Sequence, residues 1–257
     1  MRKALFVGFA LAVILPSIGI TIVLRRFSQL GDALSHSCLS GVALGLIFGF
    51  NPVAGAVAAA IAAALTIEII RKSIAAYTEV AIVIITSLGI GIAGLLSGFV
   101  NNAGSFESFL FGSIVAVTDA ELVAIAAISV LVMAVLYFMR RELFYIAFDE
   151  EGASISGVNA DKVNFIITVL TALVIAISAR TIGSLIVSSV LVIPTACAMQ
   201  TAKSYKSTLL ISIVYSVISV LLGIILSYYF GLKPGGAVVI LLVIFFFATI
   251  IIKKLKK

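Results

Sequence analysis

Asp32 and His36 are the residues of this chain whose chemical types and spacing best suit metal chemistry. They lie four residues apart in the stretch Gly31–Ser37, and His36 is the single histidine of the sequence. Residues four apart share one face of a helix, so a carboxylate and an imidazole would be presented together. Such a pair suits a borderline divalent cation such as Zn²⁺ or Mn²⁺. An interfacial Asp–His pair that only fixes a helix end is an equally weighted alternative.

The sequence gives little support for a larger metal site, for nucleotide binding or for hydrolase chemistry. Cys38 lies two residues from His36 and would point away from it on a helix, so it is not expected to be a third ligand. The sequence contains no Gly-x-x-x-x-Gly-Lys-Ser/Thr loop for nucleotide phosphates, no Gly-x-Ser-x-Gly and no His-Glu-x-x-His. The glycines Gly89, Gly91 and Gly94 fall inside an apolar segment and predict close helix packing. We therefore expect no catalytic residues and no resident cofactor.

The elements that must position Asp32 and His36 follow from the composition. Of the 257 residues 63% are apolar and 11% are charged, whereas soluble domains have ~45–50% and ~25%. A water-soluble globule and a disordered chain are both excluded. Only helices or closed barrels satisfy backbone groups in lipid, and the sequence lacks the alternating pattern of a barrel. The sequence predicts an all-α, polytopic integral membrane protein with a single transmembrane domain over residues 1–257.

Apolar stretches long enough to form membrane helices recur along the whole chain. Phe109–Val117 is too short to cross, and it is read as a re-entrant piece or as the start of the next span. The expected count is eight or nine spanning helices. The nine stretches are Leu5–Leu24, Ala33–Phe50, Val53–Ile67, Val80–Val100, Leu122–Met139, Val163–Ala179, Thr181–Met199, Ser207–Phe230 and Gly235–Ile252.

The basic residues set the expected orientation. The net charge is +6, but the Lys and Arg residues form short clusters between apolar stretches, which marks cytoplasmic loops and not a nucleic-acid surface. Alternation through nine spans puts the C-terminus in the cytoplasm and the N-terminus outside. The one sizeable loop, from Arg140 to Asp161, is then cytoplasmic. Its acidic run around Asp149 favours a helix N-terminus, so a short helix that docks a partner and an ordinary solvated loop are weighted equally.

A family resemblance begins at the histidine segment. Arg25–His36 resembles the Arg-Arg-x-Ser/Ala-x-x-Gly-Asp-x-x-x-His hallmark of the permease family of bacterial zinc and manganese ABC uptake transporters, and Asn51-Pro52 resembles its following turn. Four further segments match the family in order, so the resemblance covers nearly the whole chain. They are Leu110–Ile114 with Ala116-Val117, Phe148-Asp149 through Gly157-Val158, Arg180–Gly183 leading to Ile193–Ala196, and Tyr228-Tyr229 with Pro234–Gly236.

The resemblance implies a role and partners for the chain. It implies the permease subunit of an importer for divalent transition-metal ions, in the bacterial inner membrane. Its partners would be a second copy of itself, a cytoplasmic ATP-binding subunit, an extracytoplasmic metal-binding protein and membrane lipid. By position it carries over Asp32 and His36 as metal-contacting residues. It also assigns contact with the ATPase to a coupling segment of about residues 142–161, through Phe148, Asp149, Glu150, Glu151 and Gly157.

Zinc is the favoured ion, with manganese or iron as alternatives. Ser40 precedes Gly41, where many manganese-type members have proline, and the compact length and short tail are similar to zinc-type members. A secondary transporter and an intramembrane enzyme are two further interpretations. Both would need ionisable residues deep in several spans, and the sequence has almost none.

Overall fold

The chain is mostly helical wherever the structure describes it. The structure is a computed structural model that describes residues 2–74, 77–100, 103–113 and 118–255, and these ranges contain no β-strand. The all-α prediction is confirmed. The α-helices are α1 (Arg2–Leu24), α2 (Leu30–Phe48), α3 (Pro52–Ser73), α4 (Thr78–Ser97), α5 (Ala103–Phe111), α6 (Asp119–Phe138), α7 (Arg140–Phe148), α8 (Glu150–Ile155), α9 (Ala160–Ser178), α10 (Ser184–Thr201), α11 (Tyr205–Phe230) and α12 (Pro234–Leu255).

Eight continuous helical stretches in the described ranges are long and apolar enough to cross a membrane. One of them, of 42 residues, joins α9 to α10 through a π-helical turn, Ala179–Gly183. Gly183 adopts a φ of 102°, a conformation that favours glycine and lets the chain change direction. This stretch therefore contains two of the nine sequence-predicted segments.

Contacts at the two ends of this stretch show that it crosses twice. Near the start of α9, Asp161 accepts a hydrogen bond from Arg71 at the end of α3. Just after α10, the Tyr205 ring packs edge-on against Phe144 of α7, with ring centroids 5.5 Å apart. The basic clusters lie on one face of the bundle. This face also holds the end of α3, the whole of α7 and the start of α9. Because the stretch leaves and returns to that face, the described ranges contain nine membrane crossings.

The opposite face is marked by its own ion pairs. They join Lys3 to Asp119, Arg180 to Glu121, and Lys233 to Glu107. Along the chain, helix ends that carry these ion pairs alternate with helix ends that lie on the basic face. By the positive-inside rule, the face with Arg25 and Arg71 is cytoplasmic.

The interior is built on α1, α2 and the α9–α10 stretch, which are the most buried of the long helices. Small residues allow close crossings: a Cβ at Gly41 of α2 would lie 2.1 Å from the Gly55 carbonyl oxygen of α3. In contrast, α6 and α12 are the least buried of the long helices, and many of their large apolar side chains are exposed. An apolar outer surface of this kind suits contact with lipid.

Glycines from three of the matched segments meet near the outer face. A Cβ at Gly112 would lie 2.4 Å from the Ile182 carbonyl carbon, and one at Gly235 would lie 2.5 Å from the Ile182 carbonyl oxygen. A Cβ at Gly183 would lie 2.6 Å from the Phe111 carbonyl carbon. The short segment predicted at Phe109–Val117 corresponds to α5, which begins earlier than expected, at Ala103, and ends at Phe111. Ile114, Ala116 and Val117 of the matched segment lie outside the described residues.

Candidate functional site

Asp32 and His36 occupy the one open face of an otherwise buried helix. From Leu30 to Ala43 every residue of α2 is buried except Asp32, which is exposed, and His36, which is half-buried. The two lie one turn apart, and at 1.5 Å per residue His36 is roughly 9 Å into the helix from its cytoplasmic end. An ionisable pair at this depth, on a face free of core packing, has the placement of groups that line a pathway.

Helix α4 approaches the backbone of α2 at His36. A Cβ at Gly89 would lie 2.8 Å from both the His36 carbonyl carbon and the Ser37 amide nitrogen, so a glycine is required for this approach. Gly91 and Gly94 have no atom within 4 Å of a built Cβ. The prediction that all three glycines serve helix packing is therefore supported at Gly89 alone.

The described residues contain no group of three or more His, Cys, Asp or Glu side chains that could hold a metal ion. Cys38 is fully buried in the core, on a different side of α2 from His36. One copy of the chain therefore brings together one carboxylate and one imidazole. A cation at this pair would keep open coordination positions, which suits an ion that must also leave.

The cytoplasmic coupling segment consists of two helices joined at Asp149, where one short helix was expected. Asp149 is extended, with φ −153° and ψ 99°, and its Oδ1 accepts a hydrogen bond of 2.9 Å from the Gly152 amide. This contact caps α8, as the acidic run predicted. Leu143, Ile146 and Ala153 pack with the start of α9 in a small core of their own. The segment is thus held against the membrane helices.

The five predicted coupling residues differ in where they face. Phe148, Asp149, Glu151 and Gly157 are exposed, as a docking surface requires. Glu150 instead turns inward to the membrane helices. Ile155, which the sequence analysis did not single out, is 89% exposed at the end of α8. Ile155 is therefore available for contact with a partner.

Glu150 joins the coupling segment to the loop that precedes α2. The Arg25 guanidinium lies 2.9 Å from Glu150 Oε2 and also donates to the Asn164 side-chain oxygen. Asn164 in turn donates to Glu150 Oε1 at 2.7 Å. The Arg25 side chain is only 8% exposed. Burial lowers its pKa from the ordinary value, and the Glu150 carboxylate opposes this shift.

A second arginine extends this cluster to α3 and α9. Arg71 donates to Glu68 at 2.8 and 3.0 Å, to Asp161 at 3.0 Å and to Glu150 at 3.3 Å. We call Arg25, Glu68, Arg71, Glu150, Asp161 and Asn164 the polar cluster. The sequence alone did not predict this cluster. The three-residue spacing of Glu68 and Arg71 was a signal for one of its pairs, but the other contacts join distant parts of the chain.

Comparison with known proteins identifies the family. The model of the ABC 3 transport family matches residues 1–253. The chain belongs to the ABC 3 transport family. It is a multi-pass permease component of a bacterial ABC transporter.

Curated relatives of this ABC 3 family chain match over nearly their whole length. The "Probable metal transport system membrane protein" of Treponema pallidum is 35% identical, covering 92% of this chain and 89% of the relative. The "High-affinity zinc uptake system membrane protein ZnuB" of Haemophilus influenzae is 32% identical, covering 90% and 89%. The "Manganese transport system membrane protein MntC" of Listeria innocua is 28% identical, covering 91% and 84%.

A solved structure has the same fold. It is described as PsaBC from Streptococcus pneumoniae in complex with Fab, and the match has a TM-score of 0.85 at 27% identity. The match covers 96% of this chain and 90% of the other. The likeness confirms the expected permease architecture for the ABC 3 family chain.

Proposed function

We propose that this permease imports a divalent transition-metal ion, zinc in first place, and that Asp32 and His36 contact the ion inside the membrane. The observation that carries the proposal is the exposure of this pair on the first turns of α2, where every neighbouring residue is buried. Imidazole with one carboxylate suits Zn²⁺, whereas an oxygen-only set would suit Mn²⁺ better. The similarity to a zinc-uptake permease supports the same choice.

A second copy of the chain would complete the ligand set. Zn²⁺ is bound by four ligands in most protein sites, and one chain offers two. Two copies related by a twofold axis, with their α2 faces opposed, would supply two carboxylates and two imidazoles. An extracytoplasmic metal-binding protein would deliver the ion to the outer mouth of this pore.

Energy would come from a separate ATP-binding subunit on the coupling segment. Phe148, Asp149, Glu151 and Gly157 would contact it, together with the exposed Ile155. Glu150 would transmit the movement of the ATP-binding subunit to α2. Glu150 is hydrogen-bonded to Arg25, which lies seven residues before Asp32. A displacement of α8 would therefore move the start of α2 and with it the ligand pair. The permease itself then hydrolyses no ATP.

Transport by purified components tests this function. The complete transporter, co-purified with its ATP-binding subunit and reconstituted in vesicles, is supplied with radiolabelled Zn²⁺ or Mn²⁺ through its binding protein. ATP-dependent uptake of Zn²⁺ at lower concentrations than Mn²⁺ is expected. Preference for Mn²⁺ or Fe²⁺ would overturn the choice of ion. Uptake by the permease alone, driven by an ion gradient, would overturn the ABC mechanism in favour of a secondary transporter.

A further inference from the structure

A large cavity opens at the cytoplasmic end of the bundle, away from both Asp32 and the polar cluster. It has a volume of about 780 Å³ and lies between α1, α6, α7 and α11. Its rim carries Arg140, Arg141 and Lys206. Its deeper wall includes Met133, Leu209 and Ile213. The cavity is therefore cationic at one end and mainly apolar at the other.

The three cations at the rim are not neutralised by the protein. Across the described part of the chain, none of Arg140, Arg141 and Lys206 forms an ion pair. Glu142 directly follows Arg141 in the sequence but does not line the cavity. The Arg140 guanidinium lies 4.7 Å from the centre of the Tyr137 ring, which holds it at the rim. Three unpaired cations in one pocket favour an anionic ligand.

The depth of the cavity matches the length of a lipid headgroup plus the first part of its chains. Tyr205 begins α11 at the cytoplasmic surface, and Ile213 lies eight residues further in, roughly 12 Å at 1.5 Å per residue. Ser17 lies seven residues before the end of α1, roughly 10 Å from the same surface. A phosphate at the rim would thus leave its acyl chains against apolar walls within the hydrocarbon layer.

We propose that this cavity binds one anionic phospholipid of the inner leaflet. The phosphate would contact Arg140, Arg141 and Lys206, and the acyl chains would lie along Met133, Leu209 and Ile213. Basic pockets between membrane helices on the cytoplasmic side have the chemistry for such headgroups. A soluble phosphate would fill only the cationic rim. A lipid would also fill the apolar half of the cavity, which extends to the depth of the acyl chains, so a lipid is the favoured ligand.

Native mass spectrometry of the full chain in its transporter complex tests the proposal. The complex is equilibrated in nanodiscs of phosphatidylcholine with 20% phosphatidylglycerol, about one lipid in five, and then released. We expect the ratio of phosphatidylglycerol to phosphatidylcholine among the retained lipids to be at least ~10-fold higher than in the membrane, which corresponds to a tenfold affinity preference. The triple variant Arg140→Gln, Arg141→Gln, Lys206→Gln should lose that enrichment.

Two further variants make the result specific. Lys72→Gln, Lys162→Gln, Lys203→Gln removes three exposed charges from the same face outside the cavity, and it should keep the enrichment. Ile213→Trp fills the apolar end without changing charge, and it should reduce retention. Equal loss in both triple variants, or displacement of the lipid by millimolar glycerol phosphate, would overturn a lipid site. Retention of both lipids in proportion to the membrane would overturn it as well.

Discussion

The Arg25 guanidinium lies 2.9 Å from the Glu150 carboxylate, although 125 residues separate the two in the chain. This contact joins the cytoplasmic coupling segment to the turn that leads into α2. It is a direct physical connection between the segment proposed to contact an ATPase and the helix that carries the residues proposed to contact the ion. A permease that depends on this route should lose coupling when the contact is broken.

Arg25→Gln should uncouple transport from ATP hydrolysis. The substitution leaves Glu150 with the longer contact to Arg71, 3.3 Å, as its remaining ion pair in the described residues. Breaking a pair with a nearly buried arginine costs about 1–3 kcal/mol when one partner is partly solvated. Metal moved per ATP hydrolysed, measured in vesicles, should fall several-fold. Arg26→Gln is the matched control, because Arg26 is the exposed neighbour. Equal losses from both substitutions would contradict the role of the Arg25 contact.

Glu68→Gln should destabilise the cytoplasmic end of α3. The Glu68 side chain is 6% exposed and pairs with Arg71 at 2.8 Å. Removing its charge leaves the half-buried Arg71 with only Asp161 and Glu150, and we expect a loss of about 1–3 kcal/mol in the free energy of unfolding. Thermal unfolding of the purified transporter measures this loss. Glu79→Gln, at an exposed position on α4, should leave the unfolding temperature unchanged.

Gly89→Ala should impair metal handling more than Gly91→Ala. The added methyl group at Gly89 would meet the His36 backbone at 2.8 Å, whereas the one at Gly91 meets no atom within 4 Å. Overpacking of this kind costs about 1–3 kcal/mol and moves the backbone that carries His36. Zn²⁺ uptake by vesicles should fall for Gly89→Ala and remain normal for Gly91→Ala. The reverse order would show that α4 does not position the ligand pair.

Ile155→Asp should weaken binding of the ATP-binding subunit without affecting the fold. Ile155 is 89% exposed, so the permease loses no internal packing. A charge at the centre of a docking surface should cost about 2 kcal/mol or more. Co-purification of the ATP-binding subunit reports the loss. Ser156→Asp places the same charge one residue further on, outside α8, and retention of the subunit by both variants would exclude Ile155 as a contact.

The helical architecture could be predicted from the sequence because lipid leaves the backbone few choices. Charge-free apolar stretches of sufficient length must become helices, and each of the nine predicted stretches begins or ends within a few residues of a helix in the same place. The break at Gly183 was also visible as Arg180 between two apolar stretches. The coupling segment was less predictable. Its division at Asp149 depends on packing of Leu143 and Ile146 against α9, which no local pattern encodes.

The candidate site was predictable in part. The spacing of Asp32 and His36 puts them on one face of α2, but their exposure could be known only once the remaining faces were seen to be buried. The polar cluster was hidden for a related reason. The positions of Arg25 and Arg71 are explained by the positive-inside pattern, and that of Glu68 by an interfacial charge. Each residue could therefore be explained without a contact to a distant part of the chain. Only the fold brings them to Glu150.

The proposed contact between His36 and the ion is tested most directly by ATP-driven uptake of radiolabelled Zn²⁺ into vesicles that contain the His36→Ala transporter. Gln29→Ala, an exposed polar position just before α2, is the control for insertion and assembly. We expect uptake at least ~10-fold lower for His36→Ala, equivalent to about 1.4 kcal/mol of lost metal stabilisation, with the ATP-binding subunit still bound. Uptake at the rate of the Gln29→Ala control would contradict the claim.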